Sequence, residues 1–331
     1  MADLQRSIAM EFVRVTEAAA LRASRWLGNG NKELVDQAAS DAMRGMLDLI
    51  SIKGTVIIGE GEKDHAPMLY IDEKVGDWTE ASPEVDIAVD PVDGTRLVAN
   101  GLPNAISVVA AGEHGSLLPV PSFYMQKLAC GPELKGKLDM NVSIRENLKV
   151  AAAVLNKNVK DLTIMILDRE RHNNLIEEVR SAGARIKLIT DGDVAGAIAT
   201  VLNNIDIYVG IGGAPEGVLA AAALRCLGGE IQTKFFAMND IEKEKIIKAG
   251  YKIDKVYYTE DLARGEEIIF SATGITGGEL LEGVVFGSNQ TAVTHSVVMR
   301  AKYRTIRYVK AVHNLNYKTI PSRARNAEEK V

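Results

Sequence analysis

The residues best suited to chemistry are acids that follow two short apolar strands. One strand, Thr55-Val-Ile-Ile, ends in Gly59-Glu-Gly-Glu, and the other, Asp86-Ile-Ala-Val, ends in Asp90-Pro-Val-Asp-Gly-Thr. Functional residues commonly follow strands, because the rigid strand fixes the start of a loop that can be shaped. In the second loop, Pro91 fixes one backbone angle, and Gly94 permits close approach of the backbone. This turn can therefore direct two aspartates and a threonine hydroxyl to one point.

Five acids stand out as candidates for a shared charged site: Asp36, Glu60, Asp90, Asp93 and Glu216. Carboxylates brought close together repel one another and raise each other's pKa, and two or three divalent cations would offset that charge. Oxygen ligands suit Mg²⁺ or Mn²⁺, whereas zinc prefers cysteine and histidine, and the five histidines show no paired ligand spacing. Metals held in this way suit a phosphate substrate, whose oxygens they clamp.

Each of these residues also has a purely structural interpretation. Asp-Pro-x-Asp-Gly is a common turn, because aspartate, proline and glycine all favour turns. Glu60 and Glu62 can be solvated loop acids, Asp36 can be a charge near a helix terminus, and Thr95 can be a cap. The combination of the residues, rather than any one of them, favours the catalytic interpretation.

The composition excludes several classes of protein. The chain has 331 residues, 47% of them hydrophobic, 25% charged and 5% aromatic, which is typical of a globular protein and not of a disordered chain or a coiled coil. Its 39 basic and 44 acidic residues give a net charge of −5, without the basic excess of a nucleic-acid binder. No apolar run approaches the length of a membrane span. With only two cysteines, the sequence predicts a reducing compartment, the cytoplasm.

The surrounding elements are predicted from hydrophobic periodicity. Helices are expected over 6–27 and 32–50, and Lys32 and Asp36 share a face of the second helix because they are four residues apart. The second half alternates strands at 163–167, 185–189 and 206–209 with helices at 172–182, 194–202 and 215–227, which is typical of βαβ units. The polar stretch Asn156–Asp161 predicts a division into domains 1–158 and 159–331.

The glycine-rich string Gly210-Ile-Gly-Gly-Ala-Pro-Glu-Gly does not predict a nucleotide site. Pro215 occupies the third glycine position of a dinucleotide fingerprint, and the P-loop spacing leads to Val218 instead of lysine. We expect the glycines to bring the backbone close to the metals, while proline in the first helical turn lets Glu216 enter the site.

The combined motifs resemble the magnesium-dependent, lithium-sensitive sugar and inositol phosphatases, and within them the class II fructose-1,6-bisphosphatases of bacteria. The resemblance runs from about Ile8 to His313. It is carried by Trp26-Leu-Gly, Gly59-Glu-Gly-Glu, Ala66-Pro-Met-Leu-Tyr-Ile, Val89-Asp-Pro-Val-Asp-Gly-Thr-Arg, the glycine-rich string and Ser271-Ala-Thr-Gly-Ile-Thr. It implies an α/β fold with mixed sheets, a layered αβαβα sandwich.

The resemblance also implies roles for individual residues. The five acids become metal ligands, although Asp93 stands where some members carry glutamate. Thr95 positions or helps to deprotonate the attacking water with Asp36 as its hydrogen-bond partner. Lys32 could pair with Asp36 or bind the transferred phosphate, and the resemblance favours the phosphate. The remaining residues that the resemblance assigns to substrate binding, alongside Asp93 and Thr95, are Gly94, Tyr124, Arg169, Glu170, Arg171, Asp191, Gly192, Asp193 and Gly213.

Within that set, the two arginines hold the second, non-reacting phosphate. We expect residues 169–171 to be extended, so that both guanidinium groups reach one phosphate. The acid between them, Glu170, departs from the proline found in some relatives. Without the resemblance, these arginines form a solvated charge run, Tyr124 is a half-buried core residue and the Asp191-Gly-Asp193 turn is a helix cap.

The activity implied is hydrolysis of the 1-phosphate of fructose 1,6-bisphosphate in gluconeogenesis, by a homo-oligomer with neither nucleic-acid nor membrane partners. A dual enzyme that also cleaves sedoheptulose 1,7-bisphosphate stays open, because the two sugars differ away from the reacting phosphate. Inositol monophosphate or a 3′-phosphonucleotide suits a paired arginine less well. A non-catalytic sugar-phosphate sensor would not need the acids and Thr95 intact, and a nicotinamide dehydrogenase is disfavoured by the broken fingerprint.

Overall fold

Most of the described strands assemble into two mixed sheets, each with its own helices, and the last two strands of the chain form a small antiparallel pair. The computed structural model describes residues 4–61, 69–322 and 327–330. Unit 1 comprises Met1–Pro119 with Gly265–Val331, and unit 2 comprises Val120–Arg264. This division differs from the boundary expected at 156–161, because the strands after residue 265 return to the first sheet.

The first part of unit 1 alternates helices and strands. Its elements are α1 (Leu4–Ala23), α2 (Lys32–Leu47), β1 (Lys53–Ile58), β2 (Lys74–Val75), β3 (Glu84–Asp93), α3 (Thr95–Ala99) and β4 (Ile106–Glu113). A 3₁₀ turn at Ser24–Trp26 follows α1. The two predicted N-terminal helices are confirmed, although each ends earlier than expected.

Unit 2 carries the alternating elements that the sequence predicts. Its elements are β5 (Tyr124–Cys130), α4 (Ile144–Leu155), β6 (Thr163–Leu167), α5 (Asn173–Ala182), β7 (Arg185–Ile189), α6 (Asp193–Leu202), β8 (Ile207–Gly213), α7 (Ala214–Leu227), β9 (Glu230–Phe236), α8 (Asp240–Lys248), β10 (Tyr257–Tyr258) and α9 (Thr259–Leu262). The chain then re-enters unit 1 with β11 (Ile269–Gly274), β12 (Val285–Gly287), β13 (Thr291–Arg300), β14 (Thr305–Asn314), β15 (Thr319–Ser322) and β16 (Ala327–Lys330).

The sheet of unit 1 has the order β12-β13-β11-β4-β3-β1-β2, with β14 paired to β13. Among the described residues, β1 and β3 are parallel and the other neighbouring strands of this sheet are antiparallel. Helix α1 covers β3, β4, β11 and β13 with fully buried side chains at helical spacing, among them Phe12, Val15 and Ala19. Helix α2 packs against α1 and also contacts β3 of the sheet directly.

The sheet of unit 2 has the order β10-β9-β5-β8-β6-β7, in which β6 is parallel to β7 and β8. Ile164 and Ile166 pack with residues of α4 and α5, whereas the alternate residues Met165 and Leu167 face the other side of the sheet. Helices α6 and α7 pack on β5 and β8. The predicted α/β class with mixed sheets is therefore confirmed.

Candidate active site

The acids of the Asp-Pro-Val-Asp motif lie at the end of β3. The sequence predicts a turn directly after Val89, but β3 continues to Asp93, because Asp90 still pairs with Val108 of β4 and Asp93 with Ile106. The register shifts between these two pairs. A bulge of this kind tolerates a proline, which has no N–H to donate. The bulge therefore replaces the expected turn in orienting the two carboxylates.

The two aspartates differ in their surroundings. Asp90 is half-buried, and its Oδ1 accepts a hydrogen bond from the Val92 N–H at 3.0 Å. Asp93 is buried, with 4% of its surface exposed. Both carboxylates are thus held by a rigid strand end rather than by a mobile loop.

Thr95 links this strand end to α2. Gly94 has a φ of 95°, and this left-handed conformation lets the chain leave β3 and begin α3 at Thr95. The Thr95 Oγ1 lies 2.7 Å from Asp36 Oδ1 and 3.2 Å from the Val92 carbonyl. The expected hydrogen bond between Thr95 and Asp36 is confirmed.

Asp36 lies one turn into α2. Asn31 caps this helix by accepting the Leu34 N–H, and Lys32 is its exposed first residue. Burial raises the pKa of Asp36, while the Thr95 hydrogen bond and the charge of Lys32 act in the opposite direction. Desolvation, the largest of these effects, disfavours the ionised carboxylate. A nearby cation would stabilise this ionised form.

Glu60 follows β1 on an exposed segment. Its N–H donates to the Leu69 carbonyl at 2.9 Å, and Ile71 N–H donates to the Gly61 carbonyl at 3.0 Å. These bonds fix the backbone that carries Glu60. Glu62 and residues 66–68 of the same motifs lie outside the described residues.

In unit 2, the two arginines lie on a different backbone from the one expected. Arg169 is extended, but Glu170–His172 forms a 3₁₀ turn, so the prediction that 169–171 is extended throughout is wrong. The buried His172 anchors this turn: its Nε2 accepts the Ile211 N–H, so its Nδ1 carries the proton and donates to the Leu167 carbonyl. Burial lowers the pKa of this imidazole, which favours the neutral form.

The guanidinium groups consequently have separate partners. Arg171 donates from Nε and Nη2 to the Ile211 carbonyl at 3.1 and 2.7 Å, and its Cζ lies 5.3 Å from the centre of the Tyr124 ring. Arg169 Nη2 lies 3.9 Å from Asp191 Oδ1. Arg171 is therefore already oriented against a half-buried tyrosine, as a phosphate-binding pair would require.

The Asp191-Gly-Asp193 turn begins α6. Gly192 is its N-cap residue with a φ of 94°, and Asp193 is the first helical residue. Asp193 is buried, and its Oδ2 lies 2.6 Å from Nζ of Lys127, whose side chain is 1% exposed. This oxygen is thus occupied within the protein, which leaves the half-buried Asp191 as the more accessible acid of the turn.

Glu216 lies in the first turn of α7, after Pro215. Its Oε2 is buried and has no hydrogen-bond partner within the described residues. Burial raises the pKa of Glu216, and Lys127 is the main charge that lowers it. A Cβ atom on Gly213 would lie 2.0 Å from this Oε2, and one on Gly212 would lie 1.6 Å from Asp193 Oδ2. These glycines therefore make room for the buried carboxylate of Asp193 and for the buried Oε2 of the half-buried Glu216.

The donor chemistry fits hard divalent cations. The candidate acids supply only oxygen, and an unpartnered buried carboxylate oxygen is costly unless a cation or a proton satisfies it. Among the described residues, no three acid, histidine or cysteine side chains are already grouped closely enough to hold an ion. The ligand set therefore stays a prediction, supported by the Glu216 and Asp36 carboxyls.

Two buried cations were missed in the sequence. Lys127 interrupts the apolar run of β5, and Arg44 lies on the buried face of α2 next to Met43 and Leu47. Both could have been found, because a basic residue in the middle of a buried face is almost always paired with an acid. What the sequence does not give is the partner: Lys127 and Asp193 are 66 residues apart.

Comparison with known proteins connects the site to one family. The family model described as bacterial fructose-1,6-bisphosphatase, glpX-encoded, matches residues 6–313. A fructose-1,6-bisphosphatase class 2 of Haemophilus influenzae is 45% identical over 328 residues, which cover 95% of this chain and 98% of the relative. A fructose-1,6-bisphosphatase 1 class 2 of Escherichia coli strain K12 is 44% identical over 330 residues, with 95% and 97% covered.

Proposed function

Because the chain belongs to the bacterial class II fructose-1,6-bisphosphatase family, we propose that it hydrolyses the 1-phosphate of D-fructose 1,6-bisphosphate to fructose 6-phosphate and phosphate. It is a phosphoric monoester hydrolase of carbohydrate metabolism. We place the reaction in gluconeogenesis and in the cytoplasm. The observation that carries the catalytic part of the proposal is the hydrogen bond between Thr95 and Asp36 beside the acids of β3.

Thr95 orients the attacking water in this proposal. Its hydroxyl proton points to Asp36, so the lone pairs of its oxygen are free to accept a proton from water. A threonine hydroxyl is a weak base, so its contribution is orientation rather than full deprotonation. Lys32, four residues before Asp36 on α2, supplies positive charge for the transferred phosphate.

The metal ligands proposed are Asp36, Glu60, Asp90, Asp93 and Glu216. The family is one of metal-dependent phosphatases; we propose Mg²⁺ or Mn²⁺, in two or three sites. When bound, such ions supply Lewis acidity that polarises the phosphoryl group and lowers the pKa of water. The protein contributes rigid placement, because two of the acids lie on a strand end and two on the first turns of helices.

The second phosphate is assigned to Arg169 and Arg171, with Tyr124 against the sugar phosphate. The Arg171 guanidinium lies over the Tyr124 ring and donates to the Ile211 carbonyl, so this side chain is already ordered before a phosphate binds. Asp191 and Asp193, with the backbone of Gly192 and Gly213, are assigned to the sugar. The buried pairing of Asp193 with Lys127 favours an indirect contribution from that acid.

A dual activity on sedoheptulose 1,7-bisphosphate is the second candidate. The residues that face the reacting phosphate do not distinguish the two sugars, since these differ by one carbon elsewhere. We therefore test both substrates. The expected homo-oligomer stays a prediction that light scattering coupled to size-exclusion chromatography can check.

The test is a phosphate-release assay on fructose 1,6-bisphosphate, sedoheptulose 1,7-bisphosphate, inositol monophosphate and a 3′-phosphonucleotide, each with EDTA, Mg²⁺ or Mn²⁺. Metal-dependent release from the first alone supports the proposal, and release from the first two makes the enzyme a dual bisphosphatase. Release from only the last two would overturn the substrate assignment while keeping the metal site. No release from any would favour a sugar-phosphate sensor.

The ligand assignment is tested separately with Asp90→Asn. We expect turnover to be lost and the melting temperature to stay near that of the wild type, because the amide can still accept the Val92 N–H bond. Turnover within threefold of the wild type would exclude Asp90 as a ligand.

A further inference from the structure

Among the residues of unit 1 that the structure describes, Arg44 has the largest fully buried side chain, and it lies on the inner face of α2. Its guanidinium has three partners. Nε lies 2.6 Å from Glu73 Oε1, Nη1 lies 2.5 Å from Asp48 Oδ1, and Nη2 donates to the Lys74 carbonyl at 3.1 Å. Burying an arginine requires this degree of compensation, because an unpaired charge in the interior is strongly destabilising.

Glu73 connects Arg44 to the backbone of Leu69. It is buried, with 5% of its surface exposed, and its second oxygen, Oε2, accepts the backbone N–H of Leu69 in a short hydrogen bond. Leu69 is fully buried and has a φ of 54°, an uncommon conformation for a leucine. The carboxylate bond and the burial of the side chain together hold this backbone in place.

Leu69 in turn fixes Glu60. The Leu69 carbonyl accepts the Glu60 N–H at 2.9 Å. The same carbonyl lies so close to Gly59 that a Cβ atom there would be 1.8 Å away. A residue with a side chain at position 59 would push the two segments apart, so glycine permits the close approach on which the bond depends.

Helix α2 therefore carries both Asp36, at its first turns, and the buried arginine whose contacts reach Glu60. We propose that Arg44 is a positioning residue that, through Glu73 and Leu69, sets where the backbone presents Glu60 relative to Asp36. This inference rests on the proposed function in one respect: it takes Glu60 to be a metal ligand. It assigns to Arg44 no contact with substrate or metal.

A purely apolar pair could hold α2 against this segment equally well, since buried ion pairs can often be replaced by hydrophobic residues without loss of stability. What an apolar pair cannot do is accept the Leu69 N–H in a fixed direction. The ionic cluster thus fixes the orientation of the backbone. A loop that carries a metal ligand needs this orientation, and a simple packing contact does not provide it.

The experiment measures Mn²⁺ binding to the purified full-length protein, by the electron paramagnetic resonance signal of free Mn²⁺. Arg44→Met should raise the dissociation constant for Mn²⁺ about tenfold. This is the lower end of the range for residues that support metal ligands. Hydrogen exchange should also become faster at the Glu60 amide. The matched control is Leu21→Ala, a cavity variant in the same unit that destabilises the fold without touching the cluster.

Arg44→Met leaves the Glu73 charge buried, so the single variant can fail to fold. In that case R44M/E73M, which removes both charges and the acceptor of the Leu69 N–H bond, serves as the test. A folded variant that binds Mn²⁺ as tightly as Leu21→Ala would overturn the inference, and weaker binding together with faster Glu60 exchange supports it.

Glu60→Gln separates this outcome from the proposed function. If Glu60→Gln weakens Mn²⁺ binding and the Arg44 variants do not, the positioning role fails while the ligand assignment stands. If Glu60→Gln binds Mn²⁺ like the wild type, the ligand assignment itself fails, and the inference falls with it.

Discussion

A single hydroxyl group joins the two elements that carry most of the proposed chemistry of unit 1. Thr95 starts α3, Asp36 lies on α2, and the hydrogen bond between them spans 59 positions of the sequence. The bond directs the hydroxyl proton away from any water that Thr95 accepts from, so the orientation of that water depends on Asp36 as well.

Removal of this hydroxyl should slow the reaction. Thr95→Ala is expected to lower kcat about 100-fold, within the range for groups that assist proton transfer. Thr95→Ser is the matched control, because it keeps the oxygen and should retain most of the activity. Steady-state kinetics with saturating metal measures both; equal kcat values for the alanine variant and the wild type would remove Thr95 from the mechanism.

Arg171 should contribute to binding more than to turnover. Charge-assisted hydrogen bonds contribute about 1.5–3 kcal/mol, so Arg171→Ala should raise KM for fructose 1,6-bisphosphate roughly 10- to 100-fold with a smaller change in kcat. Arg180→Ala, at an exposed arginine of α5, is the control. A loss confined to kcat would place Arg171 at the transition state instead.

At the scale of elements, the start of α7 shows why the glycine-rich string has its composition. The sequence suggests that these glycines bring the backbone close to metals. The structure gives a different local reason: at Gly212 and Gly213, a side chain would overlap the carboxylates of Asp193 and Glu216.

Gly213→Ala should therefore displace one carboxylate without disturbing the fold. Its φ of −65° suits alanine, and the three atoms nearest to the new Cβ all belong to the flexible end of Glu216. We expect Mn²⁺ affinity to fall about 10-fold or more while the melting temperature barely changes.

The matched control for that variant lies four residues further along. A Cβ on Gly217 would meet Lys127 Cε at 3.5 Å, an ordinary contact, and alanine is favoured over glycine inside a helix by about 1 kcal/mol. Gly217→Ala should thus keep its metal affinity and gain stability. Equal metal affinity in both variants, measured by Mn²⁺ titration, would contradict the role given to Gly213.

Local elements with strong periodicity could be predicted from the sequence. Strands β6 and β7 have the predicted bounds, and α5 and α7 begin within one residue of them. The same reasoning missed the bulged end of β3, because the pairing that extends this strand comes from β4, which no local pattern identifies. It also missed the 3₁₀ turn at 170–172, which depends on the contacts of His172 with Leu167 and Ile211.

The candidate site was predictable as residue types rather than as contacts. The acids of β3 are indicated by their position after an apolar strand, and Thr95 by its neighbours. The cations Lys127 and Arg44 were not predicted, because their roles follow from partners distant in the sequence, Asp193 and Glu73. The roles of Lys127 and Arg44 depend on contacts in the folded protein and not on the spacing of residues in the sequence.

At the scale of the whole molecule, unit 1 is built from both ends of the chain. His313 of β14 illustrates this: its Nε2 lies 2.8 Å from the Thr294 hydroxyl of β13 and 3.9 Å from Glu17 of α1. Burial, with a smaller effect of the Lys318 charge, lowers the pKa of His313 from 6.5 to about 4.

This histidine predicts a loss of stability in acid. The folded protein holds the imidazole neutral, whereas the unfolded chain binds a proton below pH 6.5. The contribution of His313 to the free energy of unfolding is therefore complete above pH 6.5 and is lost as the pH falls to about 4. The loss amounts to about 3 kcal/mol, at about 1.36 kcal/mol per pKa unit. Burial raises the pKa of Glu17, which acts in the opposite direction.

His313→Gln isolates the histidine, because a glutamine amide can still form a hydrogen bond with the Thr294 hydroxyl but does not titrate. Urea unfolding at pH 7 and pH 5 should show a smaller difference in the free energy of unfolding for the variant than for the wild type. The same difference in both proteins would rule out His313 as the cause.

The return of the chain to unit 1 has a consequence for biosynthesis. While the ribosome is still making residues 120–264, β4 has no β11 beside it, and the sheet that holds Asp90 and Asp93 has an open edge. Unit 2 is continuous and can fold as soon as it emerges. A polypeptide arrested before residue 265 therefore carries Asp90 and Asp93 on an unfinished, aggregation-prone sheet, and translation must proceed past β11 before the edge of β4 is covered.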